Sequence, residues 1–166
     1  ALYTSEAFQP GPGEAFEPRT IHIGIDLFVE AGTGLAAPFA GRVHSFQVND
    51  APLDYGPTII LEHATDEGEK FWTLYGHLSE DSLFRLEHGK SIDHGEVFAA
   101  VGSYPKNGNW PPHLHFQIIL DLLDREGDFP GVAKPSERML WLALSPNPRA
   151  VLRLPESARR DPRMTD

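Results

Sequence analysis

The stretch Pro112-His113-Leu114-His115-Phe116 places two histidines in a segment whose alternating pattern is typical of a β-strand. Successive side chains of a strand point to opposite faces, so His113 and His115 share one face while Leu114 and Phe116 lie on the other. The two histidine Cα atoms would be about 6.8 Å apart, and both imidazoles could reach one small site. Such a pair needs chemical partners from elsewhere in the chain.

The composition limits what those partners can be. The 166-residue chain has no cysteine, which excludes disulfides, thiolate nucleophiles and cysteine-based zinc or iron–sulfur sites. Histidine and carboxylate would therefore have to hold any metal. The formal net charge of −10 opposes binding to a nucleic-acid backbone. No apolar run approaches the roughly 20 residues of a membrane span, so none is expected.

Short strand-like segments separated by turn residues make up most of the chain, which contains 15 glycines and 15 prolines. Because long helical periodicity is almost absent, the pattern predicts an antiparallel β domain. The expected strands are 21–28, 42–48, 58–64, 70–78, 96–101 and 112–120. After Asp121 the pattern changes, and a short helix capped by Ser136 is expected over 136–144.

These patterns divide the chain into three segments. Residues 1–17, with Pro10-Gly11-Pro12-Gly13, are predicted to form an N-terminal arm or linker. Residues 18–120 form the predicted β domain. Residues 121–166 form a predicted C-terminal extension or linker with a short helix.

The expected strand 21–28 carries two further candidate metal ligands. His22, Gly24 and Asp26 fall on one face of it, and apolar residues fall on the other. A straight strand would hold the Cα atoms of His22 and Asp26 about 13 Å apart, too far for both to bind one ion. Gly24 can bend or bulge the backbone and shorten that distance. A metal site therefore requires a bend at Gly24.

A fourth candidate histidine, His77, lies at the end of the expected strand 70–78, where it shares a face with Phe71, Thr73 and Tyr75. The chain contains no HExxH, GxSxG or P-loop motif. The remaining histidines have no comparable setting and are not expected to act directly: His44, His63, His88 and His94.

Together, these motifs resemble those of the lysostaphin-type zinc metallopeptidases of the LytM kind. The matching segments are His22-Ile-Gly-Ile-Asp26, Tyr75-Gly-His77-Leu78 and Pro112-His113-Leu114-His115-Phe116. The resemblance covers about residues 18–120. It implies an all-β fold, mainly an antiparallel sheet of the lysostaphin-like, duplicated hybrid motif type, with a groove along it. The expected helical C-terminal extension lies outside the resemblance.

By this resemblance, His22, Asp26 and His115 would hold zinc, and His77 and His113 would be the catalytic pair. Which of the pair abstracts a proton stays open. The implied substrates are peptide bonds of peptidoglycan crosslinks or of other small or glycine-rich peptides.

Two other functions remain open on the same residues. One is a non-catalytic zinc-binding module or regulator with this fold. The other is a histidine phosphocarrier-like domain of a related fold, in which two clustered histidines pass a phosphoryl group; that function leaves Asp26 without a role.

The segments 19–46 and 141–155 also resemble the peptidase-like part of large bacterial fusion proteins. There it lies between a kinase-like phosphotransferase domain and a class III aminotransferase. This resemblance implies covalently linked partner domains and a cytoplasmic location, whereas a free-standing wall peptidase would belong to the cell envelope.

Two residues near the last motif differ from the usual family pattern. Trp110 lies in the loop before it, where the family commonly carries small residues, and is expected to line a peptide groove or to act as a packing lid. Gln117 stands where the family often has Glu, so the support of the metal ligands is expected to differ.

Overall fold

The computed structural model describes residues 17–84 and 86–152. Over these residues the fold is mainly antiparallel β-sheet followed by short helices, which confirms the predicted fold class. The strands are β1 (Ile21–His22), β2 (Ile25–Leu27), β3 (Gly34–Ala36), β4 (Gly41–Asn49), β5 (Gly56–Ala64), β6 (Lys70–Gly76), β7 (Ser91–Ile92), β8 (Val97–Ala100), β9 (Leu114–Ile119) and β10 (Val132–Ala133). The helices are α1 (Arg138–Leu144) and α2 (Arg149–Leu152), with 3-10 turns at Glu80–Leu83 and Pro135–Glu137.

The main sheet has six strands in the order β2-β9-β6-β5-β4-β7, and two small sheets pair β1 with β10 and β3 with β8. Strand β9 therefore lies between β2 and β6. Its His115 is opposite Asp26 of β2 on one side and Gly76 of β6 on the other. The pairing places the expected ligand His115 directly beside the expected ligand Asp26.

The two faces of β9 belong to different parts of the core, as its alternating sequence predicts. Leu114 and Phe116 pack in the larger apolar cluster together with Tyr75 and Ile59. Ile119, on the opposite face, packs in a second cluster. The histidine face of the strand is therefore continuous with the second cluster.

The C-terminal segment covers this second cluster. Phe129 is fully buried in it, and Trp141 and Leu144 pack against it. Residues 1–16 of the predicted arm and 153–166 of the predicted extension lie outside the described residues. The three-segment division stays a prediction. Among the described residues, no helix has the length and apolar character needed to cross a membrane.

The structure corrects the predicted helix cap at Ser136. The residue that precedes α1 is Glu137, and it makes no capping hydrogen bond with its side chain. Ser136 is engaged elsewhere, because its N–H and its hydroxyl donate to the two carboxylate oxygens of Glu17 at 2.7 and 2.6 Å. A partner 119 residues away in sequence thus replaces the local cap.

The expected common face of Tyr75 and His77 is also wrong. Strand β6 ends at Gly76, and His77 adopts a left-handed backbone conformation with φ of 61°. The turn breaks the alternation, so Tyr75 stays in the larger core cluster while His77 lines the pocket around His113 and His115.

Candidate metal centre and active site

Three side chains converge at the edge of the main sheet. Nε2 of His22 lies 3.1 Å from Oδ1 of Asp26 and 3.2 Å from Nδ1 of His115. The same His115 nitrogen lies 3.0 Å from the Asp26 oxygen. Within residues 17–84 and 86–152, this is the one group of three or more His, Cys, Asp or Glu side chains able to share a metal ion.

Gly24 makes this convergence possible. Its φ of +98° is in a region that side-chain-bearing residues rarely adopt, and it ends β1 so that His22 turns back toward Asp26. A Cβ atom at this position would lie 2.6 Å from the carbonyl oxygen of Phe116 and 2.7 Å from Cγ of Gln117. Both the conformation and the close approach to β9 therefore require glycine, and the predicted bend is confirmed.

The pKa values of these residues are shifted in the direction that favours binding of a cation. Burial opposes ionisation of Asp26, but the ring nitrogens of His115 and His22 outweigh burial and hold the pKa of the carboxyl well below its usual range. Burial is also the main reason that the pKa of His115 is lowered. The site thus offers a carboxylate and imidazole nitrogens, which is a donor set that zinc takes when it retains an open position.

His77 and His113 lie beside the three residues. Their ring centroids are 4.2 Å apart, and Nε2 of His113 is 3.9 Å from Oδ1 of Asp26. Nδ1 of His77 donates to the carbonyl of Asn107 at 2.9 Å, and Nδ1 of His113 donates to the carbonyl of Pro111 at 2.7 Å. Because a neutral imidazole carries one proton, each ring presents Nε2 as a proton acceptor. Burial, followed by the neighbouring His113 and His115, lowers the pKa of His77 to about 3.

Aromatic side chains complete the pocket. The Phe28 ring stacks on His113, with centroids 5.0 Å apart and ring planes at 21°, although 67% of Phe28 is exposed. Trp110 lines the same pocket and makes edge contacts with His77 and His113 at centroid distances of 6.0 and 6.1 Å. The structure therefore places Trp110 in the pocket wall.

Two aromatic residues of the pocket are absent from the sequence-based expectations. Phe28 follows Asp26 by two positions, so the alternation of the segment 21–28 contained a signal for it. Tyr55 packs its ring on Gly76, and its hydroxyl lies 3.5 Å from Nε2 of His115. It precedes β5 in a loop without periodic pattern, so only the tertiary structure reveals it.

The five predicted site residues are brought together, and the other described histidines are not among the pocket residues. His63 is an example of a structural histidine. It is 3% exposed, its Nδ1 donates to the carbonyl of Ala40 at 2.9 Å, and its Nε2 lies 2.7 Å from the hydroxyl of Thr73.

Comparisons with known proteins agree with this fold. The catalytic domain of the prophage-encoded M23 protein EnpA from Enterococcus faecalis, in a mutant form, superposes with a TM-score of 0.50 at 24% identity, covering 77% of this chain and 89% of that one. The antimicrobial peptidase lysostaphin from Staphylococcus simulans superposes with a TM-score of 0.53 at 20% identity, covering 96% of this chain and 52% of that one. At these identities the likeness shows the fold alone. A search of curated proteins finds no match. Residues 20–125 match the model of peptidase family M23, to which this chain therefore belongs.

Proposed function

We propose that this chain is a zinc-dependent endopeptidase that cleaves peptide bonds of the peptidoglycan type or of other small or glycine-rich peptides. The observation that carries the proposal is the convergence of His22, Asp26 and His115 within 3.2 Å of one another, next to the Nε2 atoms of two further histidines. Membership of an M23 peptidase family supports a hydrolase.

His22, Asp26 and His115 would hold the metal, and His77 and His113 would handle protons. Zinc bound there would polarise the scissile carbonyl and acidify a water molecule. The Nε2 atoms of His77 and His113 are oriented by their Nδ1–H bonds to backbone carbonyls, so a proton can be received at either atom. These bonds also fix the rings before substrate arrives.

The pocket wall supports a substrate with small side chains. The rings of Phe28 and Trp110 both contact His113, so a peptide that reaches His113 must pass two bulky aromatic groups. Small residues beside the scissile bond would pass them most easily. The net charge of −10 favours a substrate that is not strongly anionic.

The test is a peptide screen. The protein is incubated with oligoglycines, cell-wall crosslink peptides and unrelated peptides, with and without chelator, and new amino termini are identified by mass spectrometry. We expect chelator-sensitive cutting of small-residue peptides, and none by the His113→Ala variant. A protein that binds zinc and leaves the whole panel uncut would contradict the proposal and would fit the non-catalytic zinc module.

Metal analysis separates the phosphocarrier alternative. Near one zinc per chain fits a peptidase or a zinc module, whereas phosphohistidine without zinc fits a phosphocarrier. The suggested kinase-like and aminotransferase partner domains, and with them a cytoplasmic location, stay a prediction. An immunoblot of the native source would show a band far above 18.4 kDa if those domains are covalently linked.

A further inference from the structure

We infer that Gln117 is a positioning residue of the metal site. Two groups of the C-terminal segment bind the NH₂ group of this side chain. Its oxygen therefore faces His115, keeps the proton of that ring on Nε2 and leaves Nδ1 directed toward the metal position. The inference rests on the zinc site of the proposed function. It adds a role for the segment after residue 120, which contains none of the three family motifs.

The orientation of the Gln117 amide follows from its two C-terminal partners. The hydroxyl of Ser145 donates to the carbonyl of Ile118 at 2.6 Å, so its single proton is used there. Toward Gln117, 3.1 Å away, Ser145 is therefore an acceptor. The carbonyl of Pro130, 3.3 Å away, can only accept. Both partners thus require the NH₂ group of Gln117.

The oxygen of the amide must then face the metal ligand. Oε1 of Gln117 lies 2.8 Å from Nε2 of His115 and 3.1 Å from the hydroxyl of Tyr55, and both of these groups donate to it. A reversed amide would place its oxygen against the Pro130 carbonyl and its NH₂ against His115. The neutral His115 ring consequently carries its proton on Nε2.

This tautomer leaves the lone pair of Nδ1 directed at the metal position. Nδ1 of His115 lies 3.0 Å from the carboxylate oxygen of Asp26, so two acceptors compete for the proton of the ring, Asp26 at Nδ1 and Gln117 at Nε2. A bound cation would end this competition, because it would take the lone pairs of both Nδ1 and the carboxylate oxygen. With the other tautomer, Nδ1–H would donate to Asp26 and the nitrogen would be lost as a ligand. Gln117 therefore selects the metal-binding form.

Burial makes the selection strong. Gln117 is fully buried, His115 is 2% exposed and Ser145 is 1% exposed, so water cannot replace a missing partner at low cost. Ser145 is itself placed by the end of α1, where its N–H donates to the carbonyl of Trp141 at 2.8 Å. The short C-terminal helix therefore supports the metal site through Ser145 and Gln117.

The test measures the position of the proton on the His115 ring and the affinity for zinc, both separately from peptide cutting. Nitrogen-15 NMR of the histidine rings, with and without zinc, reports which ring nitrogen carries the proton. Competition with a chromophoric chelator reports zinc affinity. We expect the Nε2–H form of His115 in the wild type, and a 10- to 100-fold loss of zinc affinity in Gln117→Leu, the usual effect of removing such a partner of a metal ligand.

Two further variants examine the connection to α1. Ser145→Ala should weaken zinc binding less than Gln117→Leu, because the Pro130 carbonyl still orients the amide. Gln117→Glu should recover only part of the affinity that Gln117→Leu loses, since one carboxylate oxygen accepts from His115 while the other faces the Pro130 carbonyl.

Asn49→Leu is the matched control. Asn49 is a buried amide that bonds the hydroxyl of Thr58 and the carbonyl of Gly127, away from the pocket. The Asn49→Leu substitution should lower the melting temperature of the protein and leave its zinc affinity unchanged.

A proton on Nδ1 of wild-type His115, or unaltered zinc affinity in a folded Gln117→Leu protein, would overturn the inference. If Gln117→Leu does not fold, Ser145→Ala decides by the same measurements, and a wild-type affinity there would overturn it. A wild-type protein that binds no zinc would instead contradict the proposed function, and the proton position on His115 would still test the role of Gln117.

Discussion

Nε2 of His22 lies 3.1 Å from Oδ1 of Asp26, a contact that a straight strand cannot make because it would hold their Cα atoms about 13 Å apart. The backbone is interrupted at Gly24, and the two residues belong to different sheets, with β1 paired to β10 and β2 paired to β9. The convergence of these two side chains is therefore a product of the break in the strand.

Gly24→Ala should destabilise the protein and abolish zinc binding. The new Cβ would lie 2.6 Å from the carbonyl oxygen of Phe116, in addition to the strain of a φ of +98°. We expect a loss of more than about 1 kcal/mol in the free energy of unfolding. Gly32→Ala is the control, because Gly32 has a φ of +84° but no atom within 4 Å of the added Cβ. Denaturant unfolding and zinc content measure both; equal effects of the two variants would show that close packing at Gly24 is unimportant.

His22→Ala and Asp26→Ala should each reduce the zinc content from near one per chain to near zero. Each change leaves two of the three converging donor atoms, which is too few for a stable site. Elemental analysis after dialysis is the measurement, with His94→Ala as an exposed histidine control. Retention of zinc by both ligand variants would place the metal elsewhere.

His77→Ala and His113→Ala should abolish peptide cutting and leave zinc content unchanged. Neither residue belongs to the group of three converging donors, although Nε2 of His113 is 3.9 Å from Oδ1 of Asp26. Removal of a proton-transfer group typically costs 10²- to 10⁴-fold in rate. Turnover by mass spectrometry and zinc content are measured on the same samples, and loss of metal from either variant would contradict the assigned roles.

The buried imidazole of His63 should lower the free energy of unfolding in mild acid. Burial is the main reason that its pKa is lowered from the ordinary value of 6.5, so below about pH 6.5 the unfolded chain binds a proton that folded His63 does not. Stability from this residue is present above the unfolded pKa and is lost as pH falls toward the folded pKa.

The variant His63→Gln should reduce this acid sensitivity. An amide can keep hydrogen bonds with the Ala40 carbonyl and the Thr73 hydroxyl, the two partners of the imidazole, but it does not titrate in this range. Denaturant unfolding between pH 7 and 5, with chelator present, should show a slope smaller by up to about 1.4 kcal/mol per pH unit. His94→Gln should leave the slope unchanged, and an unaltered slope in His63→Gln would refute the prediction.

Local alternation in the sequence determined which side chains share a face. The period of two in β9 put His113 and His115 on the side opposite Leu114 and Phe116, as the apolar clusters of the structure show. The same reasoning required the bend at Gly24. It failed at His77, whose left-handed conformation is held by long-range bonds: its N–H donates to the carbonyl of Tyr55, and its carbonyl accepts from the N–H of Gly102.

The sequence by itself thus determined the fold class, the candidate ligands and the place where the backbone must bend, because side-chain direction and glycine conformation are local properties. The tertiary structure alone decided which nitrogen of each ring faces the site. That choice depends on partners distant in sequence, such as Asn107 for His77 and, through Gln117, Ser145 for His115. A proton position is set by the hydrogen bond on the far side of the ring, and no periodic pattern encodes that contact.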